Sequence, residues 1–232
     1  MTYVMSDIHG EYNKYIDMLE CIGLSDDDEL YVLGDVVDRG PEPIKVLQDM
    51  MGRANVFPLL GNHDILALEM MRRLNVEITE ENYATHIDKE TMTLLHDWIA
   101  DGGEVTLGKF RELDKMERLD IIDYLESFTA FEAVDIDEKV YILTHTGLSN
   151  FEKGKKLSEY DPMDMIYGRN DPDTKYFDDD TVYLVWGHTP TRLISGKDEI
   201  YKSCNNICID CGAVFGGKLA CLCLDTMEEF YV

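Results

Sequence analysis

The chain has 232 residues, 45% of them hydrophobic, enough to build one full core and inconsistent with global disorder. Its formal charge of −26 disfavours nucleic-acid binding through a basic face. No apolar run approaches membrane-spanning length, no signal peptide is expected ahead of the first strand, and six cysteines in such a chain suggest reduced thiols in a cytoplasm, with no membrane partner expected.

The first apolar run, Tyr3-Val4-Met5-Ser6, ends in Asp7-Ile8-His9-Gly10. A helix follows, with Tyr12, Tyr15, Ile16, Leu19 and Ile22 at helical spacing and Gly23 as its stop. A second run, Leu30-Tyr31-Val32-Leu33-Gly34, ends in Asp35, with Asp38-Arg39-Gly40 just behind. Pro41 and Pro43 begin a second helix that turns Ile44, Val46 and Leu47 inward. The third strand, Asn55–Leu60, leads into Gly61-Asn62-His63-Asp64, and a third helix starts near Asp64.

Residues 75–128 are mostly helical and amphipathic, and none of the convergent ligands falls among them. They read as a helical insertion that caps or flanks the site inside a single domain of residues 1–232. His86 is expected to be exposed, His96 to lie on a helix surface, and Trp98 and Trp186 to be core residues. From Ala130 the pattern becomes β, with Val140–Thr144 ending in His145. Residues 149–180 form a long polar segment, the kind of loop that is usually functional or poorly ordered. Strands are expected at 182–186, ending in Gly187-His188, and at 207–210, 219–224 and 228–232.

Five of the six cysteines fall between Cys204 and Cys223. A zinc or iron–sulfur site is one reading of that cluster. The alternation of Cys221 and Cys223 with Leu222 and Leu224 favours buried strand residues instead.

Buried strands read as short apolar runs, and groups at their carboxyl ends converge where α/β sheets bind ligands. Five such runs here end in oxygen donors (Asp7, Asp35, Asn62) and imidazoles (His9, His145, His188). That mixture suits a pair of divalent ions such as manganese, iron or zinc. Two ions roughly 3.5–4 Å apart need a bridging carboxylate, and Asp35 is the natural one. Asp7 and His9 would complete one shell, and Asn62, His145 and His188 the other. A water between the ions would lose a proton near neutral pH and attack phosphorus directly.

Asp7-x-His9-Gly10, Gly34-Asp35-x-x-Asp38-Arg39-Gly40 and Gly61-Asn62-His63-Asp64, in that order and followed by His145 and Gly187-His188, resemble the calcineurin-like metallophosphoesterases. Within them the chain is most similar to the phosphoprotein phosphatases of small bacterial and bacteriophage-lambda type. The resemblance implies an α/β sandwich: two mixed β-sheets facing each other, helices outside, and two divalent metals, manganese first, at the strand ends. It implies that His63 protonates the departing oxygen, that Asp38 orients His63, and that Arg39, Asn62 and Arg169 hold the phosphate. The expected substrate is phosphoserine or phosphothreonine on proteins. The first alternative is a nucleotide hydrolase such as a symmetrical diadenosine tetraphosphate hydrolase, because Asp64 stands where protein phosphatases commonly carry glutamate. The second is a non-catalytic partner-binding protein with structural metals. Oligomeric state is not legible.

Overall fold

The computed structural model describes every residue except 78, 81 and 83–87, so the expectation for His86 lies outside the described residues. Among the described residues, ten strands form two five-stranded mixed sheets. In the first, β1 (Thr2–Met5), β2 (Glu29–Val32) and β3 (Val56–Pro58) run parallel. Strands β9 (Ala220–Cys223) and β10 (Glu229–Tyr231) extend it on the other side of β1, each antiparallel to its neighbour. The second sheet has the order β4 (Phe131–Ile136), β5 (Lys139–Thr144), β6 (Val182–Trp186), β8 (Asn206–Cys208), β7 (Tyr201–Ser203).

The period-two alternation of side chains sorts each strand between two cores. Val4, Leu222, Tyr141, Leu143, Val185 and Ile207 meet between the sheets. Tyr3, Met5, Leu30, Val32, Cys221 and Cys223 face the other way, into a core built with the helices. The cysteine alternation therefore marks strand β9, and Cys208, Cys211, Cys221 and Cys223 are buried free thiols while Cys204 is exposed.

Among the described residues, six helices cover the first sheet: α1 (Tyr12–Ile22), α2 (Pro43–Met51), α3 (Asn62–Leu74), α4 (Lys89–Trp98), α5 (Glu104–Glu112) and α6 (Lys115–Glu126). Gly23 ends α1 with φ +61°, the left-handed stop that glycine adopts without a Cβ penalty. Helix α3 starts at Asn62, earlier than its apolar spacing suggests, because Asp64 caps it by accepting from the Gly61 N–H at 2.9 Å. His96 on α4 is exposed, as its spacing predicts.

The second sheet is covered differently. Ile142, Leu184 and Trp186 on its outer face pack against Leu148, Tyr160, Met165 and Tyr176. The polar 149–180 segment is thus a packed cover with two short 3₁₀ turns, Leu157–Glu159 and Pro162–Met165, and not a free loop. Its few apolar side chains supply the outer core that helices supply on the first sheet. No helix among the described residues is long and apolar enough to cross a membrane.

Candidate metal centre

The parallel strands β1, β2 and β3, and β5 with β6, place their carboxyl ends along one edge of the sandwich. Asp7 and His9 follow β1, Asp35 follows β2, Asn62 and His63 follow β3, His145 follows β5 and His188 follows β6. Asp7, His9, Asp35, Asp38, Arg39 and His188 all have φ between +44° and +70°. Non-glycine residues rarely hold that left-handed conformation, and it clusters where function over-determines the backbone.

Asp35 is the centre of the cluster. Its Oδ2 lies 3.5 Å from His9 Nε2 and its Oδ1 3.4 Å from His145 Nε2. Each of these rings has its other nitrogen engaged: His9 Nδ1 donates to the Val37 carbonyl at 2.8 Å, and His145 Nδ1 to the Leu33 carbonyl at 2.7 Å. Such bonds orient both rings so that each Nε2 faces the one carboxylate, as ligating histidines are oriented, and His9 Nε2 also lies 2.8 Å from Arg39 Nη1. His145 Nε2 is also 3.1 Å from Asn62 Oδ1 and 3.1 Å from His188 Nδ1. Two groups with potential ligand atoms within 4.8 Å of one another result, His9–Asp35–His63 and Asp35–His145–His188, and Asp35 is common to both. Asp7 stands at their edge, where its carboxylate accepts from the His188 N–H at 2.9 Å and from the Ser6 hydroxyl.

Charge at this spot suits a cation. Burial and the nearby Asp35 push the Asp7 carboxyl up to about 7, although His145 pulls it down. Burial pulls the His145 imidazole down, but Asp35 and Asp7 outweigh it and hold the ring up at about 10. The Asp7 shift reports burial first, while the His145 shift reports the negative charge of Asp35 and Asp7 beside the ring. The donor set of carboxylates, an amide oxygen and imidazoles fits divalent manganese, iron or zinc.

Tight backbone contact holds the ligand loops together. A Cβ on Gly34, whose φ is +83°, would lie 2.4 Å from the Gly61 nitrogen, so two ligand-bearing turns touch through glycine. Asp64 is fully buried and accepts from the N–H groups of Gly61, Asp35 and Val36 at 2.8–3.0 Å. Its carboxylate is committed to the scaffold and does not reach the site.

His63 lies beside the candidate ligands with a different set of partners. Its Nδ1 is 2.8 Å from Asp38 Oδ2, and its Nε2 is 3.4 Å from Asp101 Oδ2. Burial lowers the His63 pKa, but the Asp38 hydrogen bond and Asp35's charge prevail and raise it. A ring with a carboxylate at each nitrogen favours the imidazolium. Arg39 NH2 donates to Asp101 Oδ1 at 2.9 Å, and its guanidinium lies 5.3 Å from the centre of the Phe215 ring. Arg169 is exposed, lines a cleft with Leu148, Ser149, Asn170 and Tyr176, and is close enough to His188 to help burial and His145 lower that ring to about 4.

The helical segment contributes more than its sequence pattern suggests. Trp98, Asp101 and Thr106 reach Asp38, Arg39 and His63. The signal in the sequence was Asp101-Gly102-Gly103, a break in helical periodicity that marks a turn. Trp98 is a core residue, fully buried, and also a hydrogen-bond donor to the site. Asp210, buried and near Asp7, was also unassigned; it accepts from the Gly212 N–H at 2.8 Å.

The family model for calcineurin-like phosphoesterases matches residues 2–198. The chain belongs to that family. It is 26% identical to serine/threonine-protein phosphatase 2 of Escherichia coli K12 over 94% of this chain and 90% of that one. It is 24% identical to the asymmetrical bis(5'-nucleosyl)-tetraphosphatase PrpE of Halalkalibacterium halodurans over 97% of this chain and 90% of that one. A symmetrical bis(5'-nucleosyl)-tetraphosphatase of Wigglesworthia glossinidia brevipalpis is 33% identical over 42% of this chain, a match spanning only 36% of that relative. Among solved structures, a yeast protein serine/threonine phosphatase superposes with a TM-score of 0.56 at 12% identity, covering 95% of this chain and 71% of that one, and shows the shared fold.

Proposed function

We propose that this metallophosphoesterase hydrolyses phosphomonoesters at a two-cation centre, with phosphoserine or phosphothreonine in proteins as substrate. The single observation that carries the proposal is Asp35, whose two oxygens face histidines of two separate donor groups. Asp7, His9 and Asp35 would hold one ion, and Asp35, Asn62, His145 and His188 the other. Bound divalent ions would supply Lewis acidity and lower the pKa of the attacking water.

The chain's own residues do the rest. Arg39, Asn62 and Arg169 would bind phosphate oxygens, the arginines in the planar fork that suits them. His63, charged and aimed by Asp38, would give its proton to the departing serine or threonine oxygen, which is a poor leaving group without it. A purely structural metal site needs neither His63, Asp38 nor Arg39, and this weighs against a non-catalytic role.

A dinucleotide polyphosphate is the second reading, supported by the PrpE relative that aligns along nearly the whole chain. Asp64 does not favour it, because its carboxylate is bound to backbone amides away from the site. The deciding assay compares the manganese-loaded protein on a phosphothreonine peptide and on diadenosine tetraphosphate. Preference for the peptide supports the proposal. Preference for the dinucleotide overturns the substrate and keeps the chemistry.

A further inference from the structure

Asp38 is completely buried, and its backbone is left-handed with φ +70°. A buried carboxylate must be fully hydrogen-bonded, and a strained backbone must be held. Both tasks fall to side chains from the helical segment, more than sixty positions away in the case of Thr106. Thr106 Oγ1 donates to Asp38 Oδ1 at 2.6 Å and accepts from the Asp38 N–H at 2.9 Å, a reciprocal clasp. Trp98 Nε1 donates to Asp38 Oδ2 at 2.9 Å, the same oxygen that faces His63 Nδ1 at 2.8 Å. The neighbouring turn closes the arrangement: the Arg39 N–H donates to the Gly102 carbonyl at 2.9 Å. A Cβ on Gly103 would fall 2.4 Å from the Trp98 ring, so glycine there lets the indole sit where it does.

We infer that Trp98 and Thr106 are positioning residues for the reaction: they lock the Asp38 carboxylate so that His63 points its Nε2 at the leaving oxygen. The inference rests on the phosphoesterase reading, with His63 as acid. The helices of residues 89–112 are thereby part of the catalytic apparatus and not only a cover for the sheet. Neither side chain touches substrate. Each acts through Asp38, and a carboxylate free to rotate about its χ angles would let the imidazole swing with it.

The test uses Thr106→Val, which keeps the shape and removes the hydroxyl, with Thr106→Ser as the conservative rescue and Trp98→Phe as the second position. Rates are read on an alkyl phosphate and on an aryl phosphate with a good leaving group, using manganese-loaded protein. Nitrogen-15 NMR of the His63 ring in metal-free protein gives a readout independent of turnover. Thr106→Val is expected to slow the alkyl ester by about tenfold, the scale of a lost supporting contact, and the aryl ester far less. KM should hold, the His63 ring signals should shift, Thr106→Ser should restore both, and Thr106→Val should add no loss in a His63→Asn background. Wild-type leaving-group dependence and unmoved His63 signals in Thr106→Val and Trp98→Phe would overturn the inference. An unchanged leaving-group dependence in His63→Asn is diagnostic too: if that variant slows both esters equally, the acid assignment fails, and the His63 ring signals alone then decide whether the clamp exists.

Discussion

Asp35 and His145 come from different sheets, yet Asp35 Oδ1 stands 3.4 Å from His145 Nε2. The same histidine crosses the seam again through Nδ1 to the Leu33 carbonyl. The candidate centre therefore exists only where the two sheets dock, and the apolar core between them is what sets its geometry.

His63→Asn removes the proposed acid while leaving a side chain of similar reach. Alkyl phosphates should slow by about 10²–10⁴-fold, and activated aryl phosphates by much less. Steady-state rates on a series of esters graded by leaving-group pKa measure this. A slope equal to the wild-type value would remove the acid role from His63.

Asp64→Ala leaves four buried backbone N–H groups, those of Gly61, Asp35, Val36 and, at a longer 3.4 Å, Val37, without their acceptor. With each unsatisfied group costing about 1–3 kcal/mol, the protein should lose at least about 3 kcal/mol of stability. The urea midpoint reports it. A loss under about 1 kcal/mol would mean that water or a shifted backbone replaces the carboxylate.

The convergence of most candidate ligands was legible because they follow the ends of apolar strands, and strand ends on parallel sheets converge by rule. Asp38, Arg39 and His63 could be read because they lie within four residues of such candidates. Asp101, Trp98 and Thr106 could not, since their contacts join positions sixty or so apart and depend on how helices dock. Strand β7 escaped notice because Tyr201-Lys202-Ser203 is a short, half-exposed edge with no apolar alternation. The 149–180 segment misled by composition: its many Asp, Lys and Gly residues outnumber the few apolar ones that pin it to the second sheet.

Asp101→Asn tests the carboxylate that spans Arg39 and His63. The side chain is 58% exposed, so the charge is worth little to the fold. It would compete with phosphate for Arg39 in the proposed role, and its removal should lower KM about two- to fivefold, the effect of one solvent-screened ion pair. Initial-rate kinetics at saturating manganese read this. A raised KM would assign Asp101 to substrate binding instead.

Chelation should abolish hydrolysis and leave the secondary structure, because the three apolar cores contain none of the proposed ligands. Restoring manganese to about 100 times its Kd should add about 2.7 kcal/mol, or about 5–10 °C in melting temperature for a chain of this size. Circular dichroism against temperature, with and without the metal, checks both halves. Full activity after exhaustive chelation would contradict a metal-dependent reaction.

The most direct test of the two-cation centre is the number of manganese ions bound per chain, by equilibrium dialysis and elemental analysis, in the wild type and in Asp35→Asn. Two ions in the wild type, with both weakened together and activity lost in the variant, is the expected result. A single ion in the wild type, or two ions and normal turnover retained in Asp35→Asn, would contradict a shared carboxylate at the heart of the site.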